Sequence, residues 1–232
     1  MSKRNSIILL SGGLDSLVSL GLKKDSVALA ITFDYGQKSA KEEIEASRKI
    51  CEYYNVEHKV IKLDWLKEIT NTTLVSGDVP TISIDKLDDE STKDSVWVPN
   101  RNALFINIAG AFADSVGYEY IIIGANKEEA AAFPDNTEEF IKRVNKVFEY
   151  STRVKPQVIA PLIIFDKNDI VKSAVEHNIP LKLARSCYNG NSKHCGECES
   201  CQRLKRALKS NGLDSLVKEM FLKWNQNLSK MK

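Results

Sequence analysis

Four of the chain's five cysteines fall between Cys187 and Cys201, with the spacing C-x7-C-x2-C-x2-C through Cys195 and Cys198. Thiolates are soft metal ligands, and four in one short loop offer a closed tetrahedral set for structural Zn2+, leaving no position for water or substrate. An odd cysteine count crowded into one stretch also argues against disulfides. His194 is an alternative ligand, although its adjacency to Cys195 makes joint ligation awkward, and an iron–sulfur cluster is the other metal reading. Lys193, Arg203, Lys205 and Arg206 lie near enough in sequence to offset the negative charge of such a site.

A second chemical signal is Ser11-Gly12-Gly13-Leu14-Asp15-Ser16, which follows the apolar run Asn5 to Leu10 and precedes a helical pattern. Between a strand and a helix, the first amides of the helix point outward unpaired, and the helix dipole adds partial positive charge. Gly12 and Gly13 let backbone approach an anion closely. Ser11 and Ser16 can donate hydroxyl hydrogen bonds, and Asp15 can hold magnesium or a bound water; the bland alternative is a glycine turn with Asp15 as helix cap. The chain lacks G-x-x-x-x-G-K-[ST], hence the lysine that grips terminal phosphates in phosphoryl transfer, and it lacks the G-x-G-x-x-G dinucleotide fingerprint.

The surrounding pattern must position these groups. Buried strands are expected at Asn5 to Leu10 and Ser26 to Phe33, a third at Glu57 to Leu63, and short ones at Glu119 to Ile123 and Gln157 to Ala160. Helical spacing runs onward from Leu14 and over Lys38 to Tyr54, Asn102 to Val116, Asp166 to His177 and Gln202 to Ser210, with another helix capped by Asp135 or Asn136 and reaching Tyr150. Strands alternating with helices, most strands apolar on both faces, imply a parallel sheet covered on both sides. Thr70 to Val98, polar and carrying Asp88-Asp-Glu90, reads as a long loop or lid. Cys51 reads as a small core residue, His58 and His177 as surface or cap residues, and Trp65, Trp97 and Trp224 as packing aromatics. The Lys-rich tail from Lys218 reads as a solvated helix face.

S-G-G-x-D-S after the first strand resembles the PP-loop of the ATP pyrophosphatases. Phe33-Asp34-Tyr35-Gly36-Gln37, Val98-Pro99-Asn100-Arg101-Asn102, Pro134-Asp135 and Cys187-Tyr188-Asn189-Gly190 follow in order before the remaining cysteines. With them the chain, from about Ile7 to Arg206, resembles the QueC family of 7-cyano-7-deazaguanine synthases. The resemblance implies an α/β fold: a parallel five-stranded sheet with helices on both faces, like the adenine nucleotide α-hydrolases, plus a C-terminal zinc-binding helical appendage. It divides the chain into 1–180, the PP-loop domain, and 181–232, the zinc loop and last helices packed on it as one unit.

The implied activity is conversion of 7-carboxy-7-deazaguanine, ammonia and ATP with Mg2+ into a nitrile through adenylated intermediates. The resemblance places Leu10, Ser11, Gly12, Gly13, Leu14, Asp15, Ser16, Thr32, Phe33, Asp34 and Gly124 around ATP, and Arg101, Glu129, Phe133 and Asp135 around the deazapurine. Asp15, Ser16 and Arg101 would carry the chemistry, and a homodimer is implied. Two stretches depart from the family pattern: Asn100 replaces the glycine of V-P-G-R-N, and Ala131, Ala132 and Phe133 replace two small polar residues and a tyrosine. That leaves open a related deazapurine, a tRNA-thiolating relative, or a non-catalytic zinc-containing nucleotide binder.

Composition narrows the classes further. The 232 residues are 43% hydrophobic and 28% charged, an ordinary globular mix, and 33 basic against 31 acidic residues give no excess for gripping nucleic acid. No apolar run approaches the ~18–20 residues of a membrane span, and the start, Met1-Ser-Lys-Arg-Asn before Ser6-Ile-Ile-Leu-Leu10, lacks a signal-peptide pattern, so a cytoplasmic protein is expected.

Overall fold

The computed structural model describes residues 4–84, 87 and 94–222. Trp224, Asp88-Asp-Glu90 and the tail beyond Leu222 lie outside the described residues.

Five strands, β1 (Ser6–Leu9), β2 (Val27–Asp34), β3 (Glu57–Lys62), β4 (Tyr120–Ile122) and β5 (Gln157–Ile159), form one sheet in the order β3-β2-β1-β4-β5. Every neighbouring pair is parallel. The chain therefore leaves β1 toward β2 and returns on its other side to β4. The strand order reverses at β1, the position where open α/β sheets bind ligands beyond their strand ends.

Nine helices connect and cover the strands among the described residues: α1 (Leu14–Lys23), α2 (Ala40–Tyr54), α3 (Asp64–Glu68), α4 (Arg101–Val116), α5 (Lys127–Ala132), α6 (Glu138–Ser151), α7 (Lys167–Glu176), α8 (Glu199–Ser210) and α9 (Asp214–Met220). Period-two alternation divides the sheet's side chains between two cores. Ile8, Ala30 and Ile122 face a core shared with α1 and α7, while Ile7, Ile31 and Ile121 face one shared with α4 and α6. The first core continues without a break through Cys187, Cys198, Cys201, Leu204 of α8 and Val217 of α9. The C-terminal elements are thus built on the same apolar mass as β1.

Several expected boundaries move for local reasons. Thr137, not Asp135 or Asn136, caps α6, because its side chain accepts from Phe140 N while Pro134–Asn136 form a separate 3-10 turn. α8 begins at Glu199, so Cys201 lies in its first turn. β3 is the sheet edge and is largely exposed on both faces. His177 ends α7 as its C-cap, as anticipated, and its Nδ1 contacts the Ser173 carbonyl at 2.9 Å. His58 is neither cap nor free surface: its Nε2 meets Thr32 Oγ1 at 2.8 Å. Trp65 is 47% exposed rather than packed.

Candidate active site and metal centre

Ser11–Gly13 link β1 to α1 at the point where the strand order reverses. Gly12 has φ +74°, and a Cβ there would lie 2.8 Å from the Glu43 carbonyl oxygen and 2.9 Å from Ala46 Cβ, so only glycine lets the loop pass this close to α2. Arg185 N donates to Gly12 O at 2.7 Å, tying the loop to the segment before the cysteines. Gly124, after β4, makes the matching concession: a Cβ there would stand 3.1 Å from Ser16 N, against the first turn of α1. Among the described residues Gly13 N and Leu14 N are met by the hydroxyls of Ser11 and Ser186, each at 3.3 Å. These are long contacts that a phosphate oxygen can replace.

The loop forms one end of a cleft of about 320 Å³. The same cleft brings in Leu10, Ser11, Gly13, Leu14, Asp15, Ser16, Phe33, Gly124, Arg101, Glu129, Phe133 and Asp135 of the residues expected from sequence. Three others do not line it. Gly12 is buried in the turn; Thr32 donates to Leu10 O at 2.6 Å and so braces the loop from β2; Asp34 accepts from Gly36 N at 3.1 Å, shaping the following turn. Phe33-Asp34-Tyr35-Gly36-Gln37 is largely a bracket. Gln37 accepts from Tyr35 N at 2.9 Å and donates to Phe33 O at 3.0 Å and Glu43 Oε2 at 2.9 Å. Tyr35 in turn hydrogen-bonds Arg101.

Sequence reasoning missed Lys167. Its ammonium, 10% exposed, donates to Asp15 Oδ2 at 2.7 Å and Glu129 Oε1 at 2.9 Å, bridging the loop and α5. Burial alone would depress it, but the two carboxylates outweigh burial and hold it above the usual lysine value. Burial pushes Asp15 up to about 6 despite Lys167, and Glu129 adds a smaller upward push from a second negative charge nearby. Burial opposes ionisation of Glu129 too, yet Lys167 and the Asn126 side chain hold it below its ordinary value. Asp15 Oδ1 is buried without a partner among the described residues. A signal for Lys167 existed: it occupies the first position of α7, behind the Asp166 cap, where the helix dipole disfavours a cation.

Arg101 starts α4 behind Asn100, whose φ of +54° is left-handed. That conformation explains the family glycine at this position, and Asn is the side chain that adopts it most readily. Trp97 also lines the cleft, its ring stacked against Phe133 with centroids 5.9 Å apart. It is a wall of the site rather than internal packing.

The four thiols of Cys187, Cys195, Cys198 and Cys201 are buried, with all sulfurs within 4.8 Å of one another. Cys195 and Cys201 sulfurs are 3.8 Å apart, matching the edge of about 3.8 Å that a tetrahedron with Zn–S bonds of ~2.3 Å requires. Glu197 N and Cys198 N both donate to Cys195 Sγ at 3.4 Å, which suits a thiolate. The donor set fits a four-thiolate metal. His194 stays outside it and accepts from Ser186 N at 3.0 Å. Of the neighbouring cations, Lys205 reaches the loop through Gly196 O, whereas Arg203 and Arg206 turn to Glu128 at 2.8 and 3.3 Å.

The family profile described as Queuosine biosynthesis protein QueC matches residues 5–212. The chain belongs to the QueC family. It is 47% identical to the 7-cyano-7-deazaguanine synthase of Methanosarcina barkeri over 228 residues, covering 93% of this chain and 98% of that one. It is 49% identical to the enzyme of the same name from Carboxydothermus hydrogenoformans over 213 residues, covering 89% and 99%. The NMN synthetase of Francisella tularensis shares the fold at 16% identity, with a TM-score of 0.50 over 91% of this chain and 78% of that one. Among the described residues, no helix is long and apolar enough to cross a membrane.

Proposed function

We propose that the chain converts 7-carboxy-7-deazaguanine and ammonia into 7-cyano-7-deazaguanine, with two ATP consumed in successive adenylations. The observation that carries this reading is a single cleft holding an anion-binding helix start, the Asp15–Lys167–Glu129 bridge, Arg101 and an aromatic wall. The substrate carboxylate attacks the α-phosphorus of ATP and pyrophosphate departs. Ammonia attacks the acyl carbon, releasing AMP and a proton and leaving the amide. The amide oxygen attacks the α-phosphorus of a second ATP, expelling pyrophosphate and giving up one N–H proton, and loss of AMP with the remaining N–H proton leaves the nitrile.

In this scheme the amides and hydroxyls of Ser11–Ser16 hold the departing pyrophosphate. Leu10, Gly12, Thr32, Phe33, Asp34 and Gly124 shape the adenosine side, Thr32 and Asp34 through the backbone turns they brace. Arg101 pairs with the substrate carboxylate or the α-phosphate, since a guanidinium matches either in a bidentate fork. Lys167 cancels one of the two carboxylate charges of Asp15 and Glu129, and Arg101 acts on Glu129 as well, which lowers the repulsion that polyphosphate meets on entry. The unpartnered Asp15 Oδ1 suits Mg2+, which would offset phosphate charge when bound. The four cysteines hold Zn2+ in a structural role. The reading includes a homodimer in the cytoplasm, with ammonia arriving free or from a partner.

The test is incubation with ATP, magnesium, ammonium and 7-carboxy-7-deazaguanine, followed by mass spectrometry. Two AMP and two pyrophosphate should appear per nitrile, because each of the two oxygens removed needs its own activation. ADP and phosphate as products would overturn the reading.

A further inference from the structure

Among the described residues six carboxylates line the cleft, and five of them are held by a cation or by two side-chain donors. Glu43 accepts from Ser39 Oγ at 2.6 Å and Gln37 Nε2 at 2.9 Å. Glu128 takes Arg203 at 2.8 Å and Lys167 N at 2.9 Å, and Glu199 takes Arg203 at 3.0 Å. Glu129 and Asp15 share Lys167, and the oxygen Asp15 keeps free lies at the phosphate-binding loop. Asp135 differs. Its carboxylate accepts from Asn136 Nδ2 on Oδ1, at 3.2 Å, and from a backbone amide of its own turn. Arg101 attracts it without an ion-pair contact among the described residues.

The charges also run in an order. Asp15, Lys167 and Glu129 are joined by contact, and Arg101 interacts with both Glu129 and Asp135. Asp135 joins this set through Arg101 and Glu129 and not through Lys167 or the loop, and it follows Phe133 of the Phe133–Trp97 wall by two residues. In a 7-carboxy-7-deazaguanine the carboxylate projects from the five-membered ring. The N1–H and 2-amino donors lie across the six-membered ring, so a carboxylate held at Arg101 leaves the two donors facing away from the phosphates.

From this arrangement we infer that Asp135 is the specificity-determining residue for the base, its two oxygens accepting the N1–H and 2-amino hydrogens of a 2-amino-4-oxo pyrimidine edge. An ionised carboxylate is acceptor-only and matches two parallel donors; a base lacking the 2-amino group leaves one oxygen desolvated and unpaired. The inference rests on the proposed reading of the cleft as a deazaguanine site. Asn136, buried and donating to Oδ1, fixes the carboxylate's orientation.

The experiment compares 7-carboxy-7-deazaguanine with its analogue lacking the 2-amino group, in the wild type, Asp135→Asn and Asp135→Ala. The wild type should prefer the 2-amino substrate by about 100-fold in kcat/KM. Both variants should lose about that factor through the KM for the base, leave the KM for ATP unchanged, and shrink the preference to about threefold or less. Melting temperature and metal content identify a variant that has not folded, and the wild-type comparison needs no variant. A wild type indifferent to the 2-amino group, or folded variants that keep the full preference, would overturn the assignment. Calorimetric binding of both bases reads the same ratio without turnover. A wild type that forms no nitrile but binds with an Asp135-dependent preference would sink the catalytic reading and leave this one standing.

Discussion

Replacing Lys167 by Met removes the cation that two carboxylates share, and the cost should depend on pH in a direction the structure fixes. Asp15 has a folded value near 6, raised above its ordinary 3.8, chiefly by burial. A raised acid contributes stability below its unfolded value and loses it as pH rises through the folded value. The change of about two units corresponds to roughly 3 kcal/mol lost between about pH 4 and pH 7, at 1.36 kcal/mol per unit. Without Lys167 the Asp15 value must climb further, and Glu129 loses the partner that holds it down. Glu129 is 38% exposed, so solvent screens most of its share, whereas Asp15 is only 19% exposed.

At pH 8 the variant must keep a buried carboxylate unpaired or bind a proton against the bulk, and the expected loss is about 3–5 kcal/mol. At pH 5 Asp15 is already mostly protonated in the wild type, so the loss should be only about 1–2 kcal/mol, mainly hydrogen bonding. Urea melts of both proteins at the two pH values give the difference directly. An equal loss at both, or a larger one at pH 5, would refute the reasoning that Lys167 serves the ionised Asp15.

Further perturbations separate the loop from the metal centre. Asp15→Ala should reduce AMP formation at least about 100-fold while melting within a few degrees of the wild type, which a turnover assay and calorimetry together decide. Gly12→Ala should destabilise by about 1–3 kcal/mol and weaken ATP binding, since its Cβ meets the Glu43 carbonyl at 2.8 Å in a left-handed backbone; a neutral melt would mean that the loop yields. The purified protein should carry about one zinc per chain, and Cys198→Ser should lower that occupancy and the melting temperature together; elemental analysis showing no metal ends the structural-zinc reading.

The parts of the fold that were legible in sequence are those written by local rules. β1, β2 and the first turn of α1 follow from an apolar run meeting Ser11-Gly-Gly, and α7 from Asp166 before an apolar period. The five-strand parallel sheet and the four-cysteine set emerged because periodicity and spacing are one-dimensional signals. α3, α5 and α9, each under eight residues, carry too few turns to show a period. The helix after Pro134 was misplaced by a residue or two because Asp135, Asn136 and Thr137 are all competent caps, and the Thr137 hydroxyl won.

The site was harder to read for a different reason. Its charges are paired across distances in sequence that no window spans: Lys167 reaches back 152 residues to Asp15 and 38 to Glu129. Trp97 looked like one more packing aromatic until Phe133 was placed beside it. Residue type could nominate Asp15, Arg101 and Asp135, but it could not say which carboxylate was already spoken for. That depends on neighbours, and the neighbours separate the two acids. Of the two acids the family pattern offers to the substrate, Glu129 is held by Lys167 and Asn126, while Asp135 has no cation in contact among the described residues. An acid paired with a cation must give up part of that pairing before a substrate can use it fully, at a cost comparable to the bond gained. The acid with no cation in contact is therefore the one that can contribute most net affinity for a base, and among the described residues of the cleft that is Asp135.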